Sequence, residues 1–224
     1  MAERVGLRER KKQRTRAAIA DAAIAMFLES GFDEVSCADV AARAEVSKPT
    51  LFKYFPAKED LVLHRIADHE GEAAAAVRER AAGEDPLAAL RRHHLAALAA
   101  RDPITGLNDS PEVRGLHQLI ESTPALSARM LGFAERRAEA LADALVEAGA
   151  PAGIATRIAA HQVVTAQRVL AEENVRQLSS GRSPDELYPE AVAAAECAFD
   201  MLRTGLDGIC GDLRAEGAGR LPPK

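Results

Sequence analysis

Tryptophan is missing from this chain, and only two tyrosines and six phenylalanines stand among its 224 residues. So few rings make their placement informative: Phe32, Phe52, Tyr54 and Phe55, four of the eight, lie within 24 residues, among lysines. The cysteines, Cys37, Cys197 and Cys210, are odd in number and far apart. They form neither a disulfide framework nor the paired spacing of a zinc site. No apolar run approaches the roughly 20 residues needed to span a bilayer. The basic N-terminus, MAERVGLRERKKQRTR, lacks the apolar stretch of a signal peptide. No membrane partner and a cytoplasmic location are therefore expected. The chain also has no nucleophile–base motif, no Gly-rich phosphate loop and no carboxylate pair in a recognisable setting, so an enzyme is not expected. The six histidines show no metal-ligand spacing, and neither a metal nor a cofactor is expected.

Strand signals are missing too: there is no sustained alternation and there are few β-branched runs. The pattern is helical almost throughout, and the fold reads as all-α. A first helix is expected over 11–30, with Ile19, Ala23, Met26 and Phe27 on one face and Gly31-Phe32 as its stop. Ser36 opens a second, with Asp39 completing a capping-box pattern, and it ends near Arg43 or Ala44. Ser47 caps a third that runs through Tyr54. Pro56 interrupts the chain, and a fourth helix is expected from 58 to about 82. Further helices are expected over 85–100, 124–148, 152–178 and 187–209. RDPITGLNDSPEVRG holds short helices or turns, SSGRSPDE at 179–186 reads as a turn cluster, and the Gly/Pro-rich tail reads as disordered.

Net charge is −5, yet residues 1–16 hold seven basic and two acidic side chains, leaving −10 for the rest. A basic arm on an acidic body has one anion-seeking end. The second and third helices, separated by Ala44-Glu45-Val46, match a helix-turn-helix, whose second helix enters the major groove N-terminal residues first. Pro49 falls in the first turn of that helix, where a missing N–H breaks no ladder bond. Lys48, Pro49, Thr50, Phe52 and Lys53 share its outer side. Val46, Leu51 and Phe55 turn inward onto Ile19, Ala23, Phe27 and Val40. Lys58 begins the next helix, where an ammonium and open amides together suit a phosphate.

Residues 17–62, AAIADAAIAMFLESGFDEVSCADVAARAEVSKPTLFKYFPAKEDLV, resemble the DNA-binding domain of the tetracycline-repressor (TetR) family. The family pattern GF-x-x-x-(S/T)-x-x-(D/E)-(I/V)-A-x-x-A-x-VS-x-x-T-(L/I)-(Y/F)-x-Y-F-x-x-K-(E/D)-x-L is present almost in full. The resemblance implies a homodimeric transcriptional regulator, usually a repressor, that binds double-stranded operator DNA at an inverted repeat. It also implies a helical body that senses a small-molecule effector. By the same resemblance Lys48, Pro49, Thr50 and Phe52 read bases, and Tyr54 and Lys58 bind phosphate; Ser47, Lys53 and Arg14 complete the expected DNA set. Four departures stand out. Glu45 replaces the usual turn glycine, costing about 1 kcal/mol if left-handed. Phe52 replaces Tyr, Cys37 and Ala38 replace a Thr and an Arg, and Ala57 replaces a capping Ser worth about 1 kcal/mol. The basic arm is expected to reach the DNA backbone or minor groove, or to be a solvated terminus.

In the final helix Tyr188, Val192, Ala195, Phe199, Leu202, Leu206 and Ile209 form an apolar seam in heptad steps. A monomer core accounts for that seam; the resemblance instead assigns Val192, Ala195, Phe199, Leu202 and Leu206 to a dimer interface. The resemblance also places an effector cavity among the middle helices, with Ile104, Leu107, Leu116, Met130, Phe133 and His161 as candidate lining. His161 equally fits a satisfied core or interface group. The expected organisation is an N-terminal arm and three-helix helix-turn-helix domain (1–57), a helical ligand-sensing and dimerisation domain (58–210) and a disordered tail (211–224), with about nine helices in all. The rival reading is an architectural DNA-binding protein without ligand sensing.

Overall fold

The computed structural model describes residues 6–205. Among them are ten α-helices, one 3-10 turn and no strand. The helices are α1 (Leu7–Ser30), α2 (Cys37–Arg43), α3 (Lys48–Tyr54), α4 (Lys58–Ala67), α5 (Glu72–Arg78) and α6 (Pro86–Ala99), then, after the 3-10 turn Pro103–Thr105, α7 (Pro111–Ser122), α8 (Pro124–Glu147), α9 (Ile154–Ser179) and α10 (Pro184–Thr204). None of the described helices is long and apolar enough to cross a membrane.

Three boundaries differ from the sequence reading. α1 begins at Leu7, so the basic residues from Arg10 to Arg16 ride on a helix rather than on a loose arm. The helix expected over 58–82 is divided. α4 stops at Ala67, Gly71 sits at the N-cap of α5, and α5 ends at Arg78. A mid-helix glycine costs about 1 kcal/mol relative to alanine, and Glu72 gives the new helix an acidic first turn. Beyond α5, the Arg80 guanidinium donates to the carbonyls of Val77 and Glu84 at 2.7 and 3.0 Å, closing the end. Finally, only part of 179–186 is a turn. Ser183 caps α10 and Glu186 reaches back to the Ser183 amide, a full capping box with Pro184 as the first helical residue. The expected end of the last helix near 209, the tail, and Leu206 lie outside the described residues, as do Arg4 and Cys210.

The chain divides into two compact units. The first comprises residues up to His69 together with Ser110–Phe133, so the division falls after residue 69 rather than 57. α4 belongs here because it buries Leu61, Val62 and Leu63 in the same core as Ile19, Phe27, Val40, Leu51 and Phe55. Arg65 of α4 also pairs with Asp21 of α1 and Glu112 of α7, both at 2.9 Å.

The second unit comprises Glu70–Asp109 and the residues from Ala134 onward. One of its cores, with Val77, Leu90, Leu141, Val163 and Phe199, draws on α5, α6, α8, α9 and α10. Another, with Leu98, Leu107, Leu178 and Leu187, draws on α6, α9 and α10 beside the 3-10 turn, which packs on α9 and α6. There Gly106 has φ +70°, and a Cβ on it would sit 2.1 Å from the Ala171 carbonyl oxygen. Asn174 of α9 donates to the Thr105 carbonyl at 2.8 Å, tying the turn to the helix.

Candidate nucleic-acid interface

The geometry of α2 and α3 follows from local chemistry. Ser36 caps α2, its hydroxyl accepting from the Asp39 amide at 3.2 Å while the Asp39 carboxylate accepts from the Ser36 amide at 2.9 Å. The Ser36 hydroxyl also donates to that carboxylate at 2.6 Å, and the hydroxyl and amide together hold the Asp39 carboxyl below the usual carboxylate range. Glu45 takes the left-handed turn position at φ +54°, and the Val46 amide closes back on the Ala41 carbonyl at 2.9 Å. Ser47 caps α3 by accepting from the Thr50 amide at 3.2 Å. Its hydroxyl also bonds the Thr50 hydroxyl at 2.7 Å.

α3 is thereby split between two roles. Leu51 and Phe55 are buried against α1 and α2, with Val46 and Tyr54 packed partly against the same core. Ser47, Lys48, Pro49, Phe52 and Lys53 are exposed and Thr50 half-buried. Phe52 is one of the few large apolar side chains left open, at 39% exposure. α3 carries no acidic residue, so its open side is basic and aromatic. The Lys48 ammonium lies 6.0 Å from the Phe52 ring centroid, within cation–π reach.

Lys58 departs from its expected role. Its ammonium does not project beside the helix terminus. It donates to the Phe32 carbonyl at 2.5 Å and lies 4.4 Å from the Phe32 ring centroid and 5.6 Å from that of Phe27. The side chain fastens the turn after α1. Ala57, the N-cap of α4, has no side-chain acceptor to offer; the Asp60 carboxylate instead accepts the Ala57 amide at 3.0 Å. Arg14 is exposed on α1. Arg10, Lys11 and Lys12 are exposed on the same helix, an extension of the basic surface announced only by the charge run of the N-terminus. Cys37 is half-buried and packs against the first core.

The candidate effector residues are dispersed. Leu116, Met130 and Phe133 pack in or against the core of the first unit. Leu107 is fully buried in the second unit beside the 3-10 turn, and Ile104 is half-buried on that turn. His161 of α9 sits near two carboxylates of α8, with Nε2 3.8 Å from Glu135 and 3.9 Å from Glu139. These three groups lie close enough to share a metal ion, a grouping that sequence spacing could not reveal because it joins two helices. Arg157 already pairs with Glu139 at 2.6 Å, which offsets the negative charge a cation would need.

The expected dimer seam also needs correction. Ala195 and Phe199 are buried within the chain's own cores, and Val192 and Leu202 pack against them. The seam is mainly monomer core, because α10 lies against α6 and α9 through that face. Besides Leu131 and Val146 on α8, open apolar side chains stand on α9: Ile154 at 69%, Ile158 at 50% and Val169 at 51% exposure. At 100° per residue these three fall on one stripe with Thr165.

A short, capped helix held from beneath by apolar anchors and presenting lysines and an aromatic outward defines the class of helix-turn-helix DNA-binding proteins. Residues 19–64 match the model of the bacterial regulatory proteins of the tetR family. The HTH-type transcriptional regulator TcmR of Streptomyces glaucescens is 34% identical over 131 residues, which cover 58% of this chain and 58% of that protein. The chain thus matches less than two thirds of that relative's length. Two solved structures are similar in fold. One is a TetR-family regulator from Streptomyces coelicolor A3 (22% identity, TM-score 0.52, 84% of this chain and 96% of that one). The other is NalD, the secondary repressor of the MexAB-OprM multidrug efflux pump in Pseudomonas aeruginosa (18% identity, TM-score 0.52, 84% and 97%). Residues 19–64 thus carry a DNA-binding domain of the tetR-family type, in a chain similar over 58% of its length to a transcriptional regulator.

Proposed function

We propose that this regulator is a repressor that binds an inverted-repeat operator as a homodimer and is released by a small-molecule ligand. The observation that carries the DNA reading is the division of α3. Leu51 and Phe55 anchor it, while Lys48, Pro49, Phe52 and Lys53 stand open on a helix with no acidic residue. On DNA, Lys48, Pro49, Thr50 and Phe52 meet base edges, with the Thr50 methyl or hydroxyl available to a thymine. Ser47, Lys53, Tyr54 and Arg14 meet the backbone.

A two-fold pair of recognition helices requires a self-complementary contact. The open stripe Ile154, Ile158, Thr165 and Val169 supports α9 as its centre. α10 presents the small exposed side chains Ala193, Ala194 and Cys197, which allow close approach. The multi-helix second unit supplies the sensing body. The acidic balance outside residues 1–16 disfavours the architectural rival, since sequence-independent coating of DNA rests on many phosphate contacts.

Fluorescence anisotropy on DNA from upstream of the protein's own coding region, against random DNA of equal length, tests the reading. Preference for the native fragment is expected, and Lys48→Ala and Thr50→Ala should each weaken it by about 1–3 kcal/mol while leaving the oligomeric state unchanged. Equal affinity for both DNAs would favour the architectural rival.

A further inference from the structure

Within the second unit one half-buried basic side chain keeps part of its guanidinium from water. Arg137 stands on α8, next in the chain to the core residue Ala138, and its Nε is buried with no hydrogen-bond partner. Its guanidinium makes one hydrogen bond, from Nη2 to the Gln167 side-chain oxygen on α9, at 3.2 Å. No ion pair to Arg137 is present among the described residues. The nearest acidic influences are Glu72 and Glu70. Glu70 is held by Arg136, whose Nε and Nη2 donate to it at 2.9 and 2.6 Å. Glu72 lies 3.8 Å from the His93 imidazole. Burial accordingly pulls the Arg137 pKa below the usual guanidinium value.

His94 of α6 faces the same region. It is 5% exposed, its Nε2 is buried and unpartnered, and its ring centroid lies 5.9 Å from that of Phe199. Burial first, then the His93 and Arg137 charges, disfavour a proton on it. Gln167 is 7% exposed. Three helices thus contribute a guanidinium, an imidazole nitrogen and a carboxamide to this unit, and Phe199, beside His94, belongs to a core with Val77, Leu90, Leu141, Val163, Val164 and several alanines. A folded protein pairs nearly all of its buried polar groups, so two orphaned nitrogens in one unit call for a partner. A cation partly cut off from water favours a charged one.

We infer that Arg137, with His94 and Gln167, forms the anchor for an organic anion: a carboxylate carried on an apolar frame. The planar fork of Arg137 meets the two carboxylate oxygens, as guanidinium groups do in bidentate pairs. Neutral His94 donates its Nε2–H to one of them. Gln167 keeps the guanidinium in plane, and the surrounding aliphatic and phenyl groups meet the ligand's frame. This assignment rests on the reading of the second unit as the sensing body and names the class of effector it takes.

The test uses the full-length protein and four acids, benzoate, salicylate, 1-naphthoate and decanoate, each paired with its neutral amide. Thermal shift and calorimetry are read alongside operator binding. At least one acid is expected to raise the melting temperature while its amide does not. Arg137→Met should abolish that preference with helicity and DNA binding intact, and Arg137→Lys, which keeps the charge but not the fork, should weaken binding at least tenfold. If Arg137→Met does not fold, the lysine variant carries the comparison. The assignment is overturned if no acid outperforms its amide, or if the preference survives in the folded variants. Wild-type protein that fails to bind its operator would sink the regulator reading itself; intact operator binding without any acid preference would sink the anion assignment alone.

Discussion

Glu45 shows how much one position can reveal. The turn between α2 and α3 needs a left-handed residue, and the chain supplies a glutamate there, at φ +54°. Glu45→Gly should therefore stabilise the protein by about 1 kcal/mol, read as a rise in the urea midpoint. A midpoint that falls would show that the turn does not bear this strain. The cap at Ser47 and the inward anchors Leu51 and Phe55 were legible for the same reason: each depends on neighbours a few residues away. Lys58 was not. Its partner, the Phe32 carbonyl, is 26 residues distant and is presented only once α1 and α4 have packed. Lys58→Met is expected to lower stability by about 1.5–3 kcal/mol, the range for hydrogen bonds to charged groups. The salt dependence of DNA binding should not change. A shallower salt slope would instead place the ammonium on a phosphate.

Helix starts were more legible than helix ends. Asp85, Ser36 and Ser47 announced theirs, and Ser183 did so with an S-x-x-E pattern that lay hidden inside an apparent turn cluster. The break between α4 and α5 was obscured by helix-favouring alanines on its far side. The heptad seam of α10 was correctly apolar, but apolar spacing cannot say whether the partner is α6 and α9 of the same chain or another copy. The 3-10 turn is the element most exposed to substitution. Gly106→Ala places a methyl group against the Ala171 carbonyl at a positive φ, and a loss of about 2 kcal/mol or more is expected. A chemical-denaturation midpoint within error of wild type would mean that α9 and the turn separate without cost.

At the level of the whole molecule, pH and assembly are the informative variables. Burial holds His64, His94 and His117 below the ordinary imidazole pKa, with His94 lowered to about 4. The unfolded chain then binds protons more readily than the folded one between pH 6.5 and 4. The stabilisation is full above the unfolded value and is lost as pH falls through that window. For His94 alone the loss between pH 7 and 5 is on the order of 2 kcal/mol. Urea titrations at the two pH values should show it, and His94→Leu should narrow the gap; an unchanged gap would place the acid sensitivity elsewhere. For assembly, Ile158→Glu puts a charge into the open stripe of α9. It is expected to shift light-scattering mass from dimer to monomer and to weaken operator binding at least tenfold; a dimer that survives would move the interface off α9.

The account depends above all on α3 entering the major groove in two symmetry-related copies. Selection of bound fragments from a random DNA pool, followed by footprinting of the enriched sequence, tests that most directly. The predicted result is an inverted repeat with two protected half-sites centred a whole number of helical turns apart, each turn about 10 base pairs, and with both protections lost in Lys48→Ala. Enrichment of a single unsymmetrical site, of no sequence at all, or of a footprint indifferent to Lys48 would contradict it.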